Sequence, residues 1–461
     1  MSKRLLDRIP HAITILFFII IVMTILTYII PAGTYERVIM EGRNVVVPDS
    51  YKVVPSTPVG LLDMFKAIPI GFKTASEIIF VVFAGAIMFE FMESSRSIEN
   101  SVGTLVKTLG LKHKYSIIVI MTFVYGMLGV AVGYENNIAL VPIAAVLSMA
   151  LGGDLILAAG ISVGAMTIGF GLSPINPYTI GIGHKIAELP IFSGAILRSF
   201  LCFAALSLMA YYNVRYFKRI TANPDRSLGK GLDTNDLKLS KPIEDYRLSP
   251  SNWLVILIFI IGLIVIVYGV FNLNWFINEL SAVFLMIALL CGLVTKMSAT
   301  KMSNTLLKAV SIAAPGAFMV GFATTIKVLM EMGTIGDTIS HQLSNMLHGL
   351  PLYLSAIGMS ISQTVINFFI PSGSGQALAT LPVMLPLGQS LGLTQQITIL
   401  AFQIGDGLSN LINPTLGGLI AMLSMCRVPL DRWIRFIFPV FISLLCLSFL
   451  ALVIAVATNY N

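Results

Sequence analysis

Long apolar runs, separated by short polar segments, make up most of this chain of 461 residues. A run of about 18 or more apolar residues is long enough to cross a bilayer as an α-helix. We predict complete membrane helices near 11–30, 76–93, 192–214, 252–271, 277–295, 310–330 and 433–457. Two further membrane helices, at about 154–184 and 395–424, contain polar Asn-Pro segments and are predicted to be broken.

Two other pairs of apolar segments each fold around a tip of glycine and polar residues. The pairs cover about 115–150 and 352–391, and their tips read GYENN and GSGQ. Backbone groups at membrane depth must be hydrogen-bonded within the protein, so irregular tips are tolerated only where they line a cavity. We therefore predict two re-entrant helical hairpins, each of which enters and leaves the bilayer on the same side. Amphipathic helices at 95–114 and 333–350 are expected to lead into them.

Composition places the chain among membrane proteins. Hydrophobic residues make up 56% and charged residues only 11%, whereas soluble domains carry about 25% charged residues. The expected fold class is an all-α polytopic membrane protein. The four cysteines lie in apolar runs without metal-ligand spacing, so we expect them to be small buried residues. The net charge of +7 comes from bases beside apolar runs, and no nucleic-acid partner is expected.

The distribution of Lys and Arg predicts the orientation. These residues are concentrated in four segments, 3–8, 215–250, 296–301 and 427–435. All four segments lie on one face if the hairpins are re-entrant, and that face is the cytoplasm by the positive-inside rule. The prediction is a multi-pass protein of the cytoplasmic (inner) membrane, with a cytoplasmic N-terminus, an external loop at 31–74 and an external C-terminus.

The chain also carries an internal repeat. Met92-Glu93 recurs as Met330-Glu331, Pro142 recurs as Pro382, and Asn176-Pro177 recurs as Asn413-Pro414, with offsets between 237 and 240 residues. We predict a first repeat at 1–214, a cytoplasmic linker at 215–250, and a second repeat at 251–461 with one extra helix. The orientation derived above makes the second repeat inverted relative to the first. Inverted repeats with broken helices are typical of secondary transporters, whose substrate site lies at the interface of the repeats.

Polar residues at the tips and breaks are the candidate substrate or ion ligands. Exposed helix N-termini there suit anions, and unwound carbonyl groups suit cations. The candidates are Glu135, Asn136, Asn137, Ser173, Asn176, Thr179, Ser372, Ser374, Gln376, Asp406, Ser409, Asn410, Asn413 and Thr415. A Na⁺ ion is a candidate ligand near Asn137, Asn176 and Asn413. The alternative for any single hydroxyl or amide is that it only caps a half-helix.

Two of these candidates, Glu135 and Asp406, are carboxylates in apolar surroundings, which is costly and usually functional. One role is to attract a cationic substrate or to coordinate Na⁺. Another is to bind and release a proton, with a pKa raised by burial. A structural role, in which each carboxylate is paired internally or lies at the interface, is the third alternative.

Other classes of protein fit the sequence less well. The sequence contains no Ser/His/Asp, paired-Asp or His-Glu-x-x-His set, so we do not expect an enzyme. A channel, with the polar breaks lining a continuous pore, is the other alternative. Hairpins that open from opposite faces suit alternating access better than a continuous pore.

The pattern of hairpins and broken helices resembles the ion transporter superfamily. Within it, the chain looks most like the C4-dicarboxylate anaerobic carrier family, in its YfcC-like basic amino acid antiporter branch. The segments RIPHAITILFF, GYENNIALVPI and GLSNLINPTLGG carry this resemblance, which covers essentially the whole chain. The resemblance implies an elevator mechanism, in which the hairpins and broken helices move against a dimeric scaffold, and therefore a homodimer.

Charge is the remaining guide to the substrate. The predicted tips and breaks contain two acids and no basic side chain, which favours a small cationic organic substrate over a dicarboxylate. Together with this charge, the resemblance implies a secondary transporter of the arginine/ornithine antiporter type. The alternative is a carrier of C4-dicarboxylates or other organic anions coupled to Na⁺ or H⁺. No cofactor is expected beyond such a coupling ion.

Overall fold

The computed structural model describes residues 12–40, 43–47, 49–109, 113–132, 135–190, 193–234, 237, 245–273, 275, 277–347 and 350–461. Helices account for nearly all of the regular structure in these residues. Five helices are long and apolar enough to cross a membrane, or six if one bent pair counts as a single span, within the described residues. The prediction of an all-α polytopic membrane protein is confirmed.

The N-terminal part contains one apolar helix and two small antiparallel sheets. Helix α1 spans Ala12–Ile29, and strands β1 to β4 follow at Gly33–Thr34, Arg37–Met40, Arg43–Val46 and Lys52–Val53. Strand β1 pairs with β4 and β2 pairs with β3. Helix α2, Leu61–Thr74, comes next and meets the following helix at a bend of 54°. The stretch 31–74 is therefore more than the loop that its polar composition predicts, because its last 14 residues are helical.

The rest of the first half forms a series of helices ending in a 28-residue helix. A 3₁₀ segment at Glu135–Leu140 and π-helical segments at Gly160–Gly164 and Pro177–Gly181 interrupt the series. The helices are α3 Ser76–Ser94, α4 Ser97–Leu109, α5 Lys114–Val132, α6 Val141–Ala150, α7 Leu155–Ala159, α8 Ala165–Gly171, α9 Ile182–Ile186 and α10 Ala195–Ala222.

The second half begins with two apolar helices and then contains a similar series. The helices are α11 Pro250–Asn272, α12 Ile277–Val294, α13 Ala299–Gly333, α14 Gly336–Asn345, α15 Leu352–Phe369, α16 Gly373–Ser390, α17 Gln395–Ser409, α18 Gly417–Met425 and α19 Leu430–Ala457. In both halves a long helix and a short helix precede two hairpin arms, a broken helix and a final long helix. Helices α5 and α15 begin 238 residues apart, at Lys114 and Leu352.

The arms of each helical pair fold back against each other. In the first pair, the Tyr125 hydroxyl donates to the Leu140 carbonyl at 2.8 Å. In the second pair, the Gln376 side chain donates to the Gln363 side chain at 2.7 Å. These bonds join residues 13 to 15 positions apart in the chain, which two helices can achieve only by turning back at the tip.

The two halves interlock at their broken helices. Helices α8 and α17 cross at Gly171 and Gly407, where a Cβ atom built on Gly171 would lie 2.7 Å from the Cα atom of Gly407. Only glycine permits this backbone contact on both sides. Each hairpin also packs against the broken helix of the other half, since the 3₁₀ segment contacts α18 and α16 contacts α9.

The strands near the N-terminus are fastened to the second half. The Arg37 guanidinium forms an ion pair with Asp337 of α14 at 2.7 Å, and the Tyr35 N–H donates to the same carboxylate. The Tyr51 ring stacks on His341 with the ring centroids 4.0 Å apart. Helix α1 also packs against α13. Segments about 300 residues apart in the chain therefore form one unit.

Candidate functional site

The main candidate site lies where the tip of the second hairpin meets both broken helices. Helix α16 begins at Gly373, directly after the tip. A Cβ atom at this glycine would lie 2.7 Å from Thr179 Cγ2 and 3.3 Å from Asp406 Oδ2. The hairpin, the break of the first half and the end of α17 therefore meet around one position.

Asp406 is the acidic group of this site. Its side chain belongs to α17 and is only 1% exposed. Neither carboxylate oxygen has a hydrogen-bond partner, and no ion pair to Asp406 occurs among the residues that the structure describes. An isolated carboxylate removed from water is strongly unfavourable unless a proton or a cation neutralises it. Asp406 lies beside the N-terminus of α16, which carries partial positive charge.

Thr179 is the other predicted residue beside Gly373. It lies in the π-helical segment of the first half and is 1% exposed. Its hydroxyl is also buried without a hydrogen-bond partner in the described part of the chain. Buried polar groups are normally satisfied, so an unpaired hydroxyl next to an unpaired carboxylate indicates a position for a ligand.

Four predicted residues of the second break, Ser409, Asn410, Asn413 and Thr415, surround Asn367 of α15. The Asn367 amide nitrogen lies 2.7 Å from both Ser409 Oγ and Asn410 Oδ1. The Asn413 amide donates to the Asn367 carbonyl at 2.9 Å, and the Thr415 hydroxyl donates to the Phe368 carbonyl. These side chains fix the unwound segment to the hairpin arm, which is the capping role that the sequence left open.

The tip of the second hairpin combines a helix cap with a pair of glutamines. Ser372 caps α16 by accepting a bond from the Gly375 N–H at 3.3 Å, and Ser374 is partly exposed. Gln376 is fully buried and donates to the Gln363 side chain. Gln376 Oε1 and Gln363 Nε2 have no partner among the described residues. Unpaired polar atoms therefore occur on the second hairpin as well as at Asp406 and Thr179.

The first break is chemically different because two of its predicted residues, Ser173 and Asn176, are bonded to backbone groups, whereas Thr179 is not. The Ser173 hydroxyl donates to the Val130 carbonyl at 3.2 Å and accepts from the Ile175 N–H. Asn176 donates to the Phe170 carbonyl, and Asn137 of the first tip donates to the Leu128 carbonyl. These bonds hold the break and the tip in shape.

Two predicted residues cannot be placed in the site. The side chains of Glu135 and Asn136 lie outside the described part of the chain. The three asparagines expected near Na⁺, which are Asn137, Asn176 and Asn413, bond to different backbone carbonyls. The role of the Glu135 carboxylate and the sodium site near the three asparagines therefore stay predictions.

Sequence reasoning missed a buried basic residue near the site. Arg198 of α10 is 1% exposed, and its Nε donates to Gln403 Oε1 at 3.1 Å. Gln403 in turn donates to the Ser173 carbonyl at 2.8 Å. A second guanidinium nitrogen donates to Gln396 Oε1, which also bonds His184. A lone Arg within the apolar run 192–214 was the signal, because bases inside membrane helices are rare and usually functional.

The missed residues Gln363 and Asn367 also had a signal in the sequence. They lie four positions apart in the apolar segment 352–369, and residues at this spacing share one face of a helix. A polar stripe within a membrane helix marks a face buried against protein or a cavity.

The arrangement suits reversible binding more than bond-making chemistry. It offers a buried carboxylate and a buried hydroxyl, both without a partner among the described residues, beside a helix N-terminus. Such a set can hold a proton or a small cationic group. Within the described residues, no cluster of three or more His, Cys, Asp or Glu side chains could hold a metal ion.

Comparison with known proteins identifies the family. Residues 9–457 match the family described as C4-dicarboxylate anaerobic carrier. A relative from Escherichia coli, YfcC, is named as a candidate basic amino acid antiporter; it is 28% identical over 92% of this chain and 92% of its own length. An uncharacterized protein of Haemophilus influenzae is 24% identical over 99% of this chain and 98% of its own length.

Two solved transporter structures are distantly similar. MtrF of Neisseria gonorrhoeae, from a class of antimetabolite efflux pumps, is 16% identical with a TM-score of 0.46, covering 98% of this chain and 97% of that one. YdaH of Alcanivorax borkumensis is 15% identical with a TM-score of 0.45, covering 98% and 99%.

The family match extends over nearly the whole chain and confirms the resemblance seen in the sequence. The matched family is one of carriers, and the Escherichia coli relative is named as an antiporter, so both are transporters and not enzymes. The chain therefore belongs to the C4-dicarboxylate anaerobic carrier family of membrane transporters.

Proposed function

We propose that this transporter is a secondary antiporter that exchanges basic amino acids of the arginine/ornithine type across the cytoplasmic membrane. The observation that carries the proposal is the buried carboxylate of Asp406, which has no partner among the described residues. A cationic group of the substrate is the natural partner for such a carboxylate. The name of the Escherichia coli relative points to the same class of substrate.

Exchange follows from the cost of an empty site. With neither substrate nor proton bound, the ionised Asp406 carboxylate is buried without compensation, which is unfavourable. A carrier that moves its site between the two faces should therefore move it more easily when a ligand or ion is bound. A second cationic substrate, a proton or Na⁺ could load the site on the return step, and each choice gives a different coupling.

The movement that we propose is of the elevator type. The two halves share an order of elements, and Gly171 and Gly407 contact each other reciprocally at the crossing of the broken helices. Both features support a pair of inverted repeats with re-entrant hairpins. In this proposal the repeats are 1–214 and 251–461, the linker and N-terminus are cytoplasmic, the C-terminus is external, and the scaffold forms a homodimer.

A second candidate function is the carriage of C4-dicarboxylates or other organic anions with Na⁺ or H⁺. Arg198 favours it, because this buried guanidinium pairs with no carboxylate among the described residues. The description of the family names the same class of solute. The unpaired Asp406 argues against it, since two like charges would meet in the site unless a proton or cation intervened.

Ligand-dependent stability and counterflow distinguish the two functions. Purified protein in detergent should melt at a higher temperature with arginine than without, because a ligand that binds only the folded state stabilises it. Liposomes preloaded with arginine should take up labelled arginine faster than empty liposomes. Asp406→Asn should lower this exchange at least about 30-fold, as expected for loss of a buried charge partner.

Asp225→Asn is the matched control, because Asp225 is an exposed carboxylate in the loop after α10. It should exchange arginine at the wild-type rate. Stabilisation by succinate and not by arginine would replace the proposal by the second candidate function. Unchanged arginine exchange in Asp406→Asn would remove Asp406 from the site.

A further inference from the structure

We propose that Arg198, acting through Gln403, forms the subsite for the α-carboxylate of the substrate and so selects α-amino acids over simple amines. This inference rests on the proposed function and deepens it. It also assigns a role to a basic residue that lies outside the predicted tips and breaks.

The guanidinium of Arg198 is satisfied only by neutral oxygens in the described structure. Its nitrogens donate to Gln403 Oε1 at 3.1 Å, to Gln396 Oε1 at 2.9 Å and to the Ser193 carbonyl at 2.9 Å. The Tyr460 ring lies 5.6 Å from the guanidinium carbon. Its positive charge is therefore held in place but is not neutralised, and in a medium of low dielectric constant it attracts anions strongly.

Gln403 carries this polarity to the break of the first half. Its oxygen accepts from Arg198, so its amide nitrogen must point the other way, and it donates to the Ser173 carbonyl at 2.8 Å. A primary amide has two N–H groups. One is used by Ser173, and the other can donate to a carboxylate oxygen in the site.

The spacing along α17 matches the dimensions of an α-amino acid. Gln403 and Asp406 are three residues apart, so they lie on the same face of the helix with a rise of about 4.5 Å between them. The Gln403 end of this interval is electropositive because Arg198 is bonded to it, and the Asp406 end is acidic. An α-amino acid carries its ammonium and carboxylate on one carbon, and it can pair with both ends at once.

The N-terminus of α16 is less suited to the carboxylate than the sequence predicts. Asp406 already lies beside Gly373, the first residue of that helix. A substrate carboxylate placed there would face the acidic group directly. The Arg198 end of the site avoids this repulsion.

The experiment compares arginine with agmatine, which is arginine without its carboxylate, in exchange assays on wild-type and Arg198→Met protein in liposomes. Wild-type protein should prefer arginine. In Arg198→Met the KM for arginine should rise at least about tenfold, while the KM for agmatine should stay within about twofold. Arg198→Lys should recover part of the preference, because it restores the charge without the forked donor geometry.

Two further variants control for structural effects. Gln403→Leu removes the bond to Arg198 and keeps the charge, so it should also lower the preference for arginine. It serves as the test if Arg198→Met proves unstable. Arg215→Met removes an exposed base from the same helix and should change neither KM.

The possible outcomes separate the two levels of the proposal. Equal loss of arginine and agmatine exchange in stable Arg198→Met protein, or an unchanged preference, would make Arg198 a structural residue and overturn this inference alone. Wild-type protein that exchanges succinate but neither arginine nor agmatine would overturn the proposed function and this inference with it.

Discussion

The two breaks occupy matching places in the halves but differ in their hydrogen bonding. In the first break, Ser173 and Asn176 bond to backbone carbonyls close by. In the second break, the corresponding polar residues gather around Asn367, while the Asp406 carboxylate, one turn away, has no partner among the described residues. A repeated sequence position therefore does not imply a repeated role.

The difference shows how one architecture can supply both polar groups that hold the backbone and polar groups that are left to bind a ligand. In the first break, Ser173 and Asn176 are held by backbone groups, and Thr179 is the predicted residue whose hydroxyl is left to bind a ligand. In the second break, hydrogen bonds hold the unwound segment, whereas the neighbouring Asp406 carboxylate has no partner among the described residues. We expect substitutions of the bonded polar residues to change stability and substitutions of the unpaired polar residues to change transport.

The largest effect on stability is expected at Asn367. Asn367→Ala removes the bonds to Ser409 and Asn410 and leaves the buried second break without its central donor. The free energy of unfolding should fall by about 3 kcal/mol, as several buried groups lose partners together. Thermal unfolding of purified protein measures it, with Asn272→Ala at an exposed position as the control. A change no larger than that of the control would mean that the break does not depend on Asn367.

A somewhat smaller effect is expected where the broken helices cross. Gly407→Ala or Gly171→Ala places a methyl group against the facing backbone and should lower the free energy of unfolding by about 2 kcal/mol. The double variant should cost less than the sum, because both methyl groups push apart the same contact. Gly60→Ala is the control, since its Cβ would meet nothing closer than 3.6 Å. Fully additive losses would show that the two glycines do not share one contact.

The smallest effect on stability is expected at Thr179. Its hydroxyl has no described partner, so Thr179→Val should change the free energy of unfolding by less than about 0.5 kcal/mol. Arginine exchange should nevertheless fall about threefold if the hydroxyl binds substrate. Thr415→Val is the matched substitution in the other break, where the hydroxyl bonds to the Phe368 carbonyl, and it should mainly lower the melting temperature. The reverse pattern, with Thr415→Val impairing exchange and Thr179→Val lowering the melting temperature, would exchange the roles assigned to these two hydroxyls.

The sequence predicted the helices well because hydropathy is a property of single segments. The break at 410–416 and the hairpin at 352–391 were visible as glycine, proline and polar residues inside apolar runs. The helical nature of 61–74 was missed because its charged residues resemble those of a loop. Its apolar positions nevertheless allow one face to pack against α13.

The chemistry of the site was less predictable because it depends on contacts between distant segments. Asp406 was predicted from its own cost of burial, which is local information. The partnership of Arg198 with Gln403 joins residues 205 positions apart, and no pattern in either segment reveals it. The sequence also could not show that Ser409 and Asn413 would be used up in holding the break.

The attachment of the N-terminal strands to α14 has a consequence for biosynthesis. Arg37 cannot meet Asp337 until about 300 more residues have been made, which takes about 15 to 60 s at ordinary rates of translation. During that interval α1 must wait in the membrane without its final neighbour. Premature termination before α13 would leave the apolar face of α1 uncovered and available to quality-control proteases.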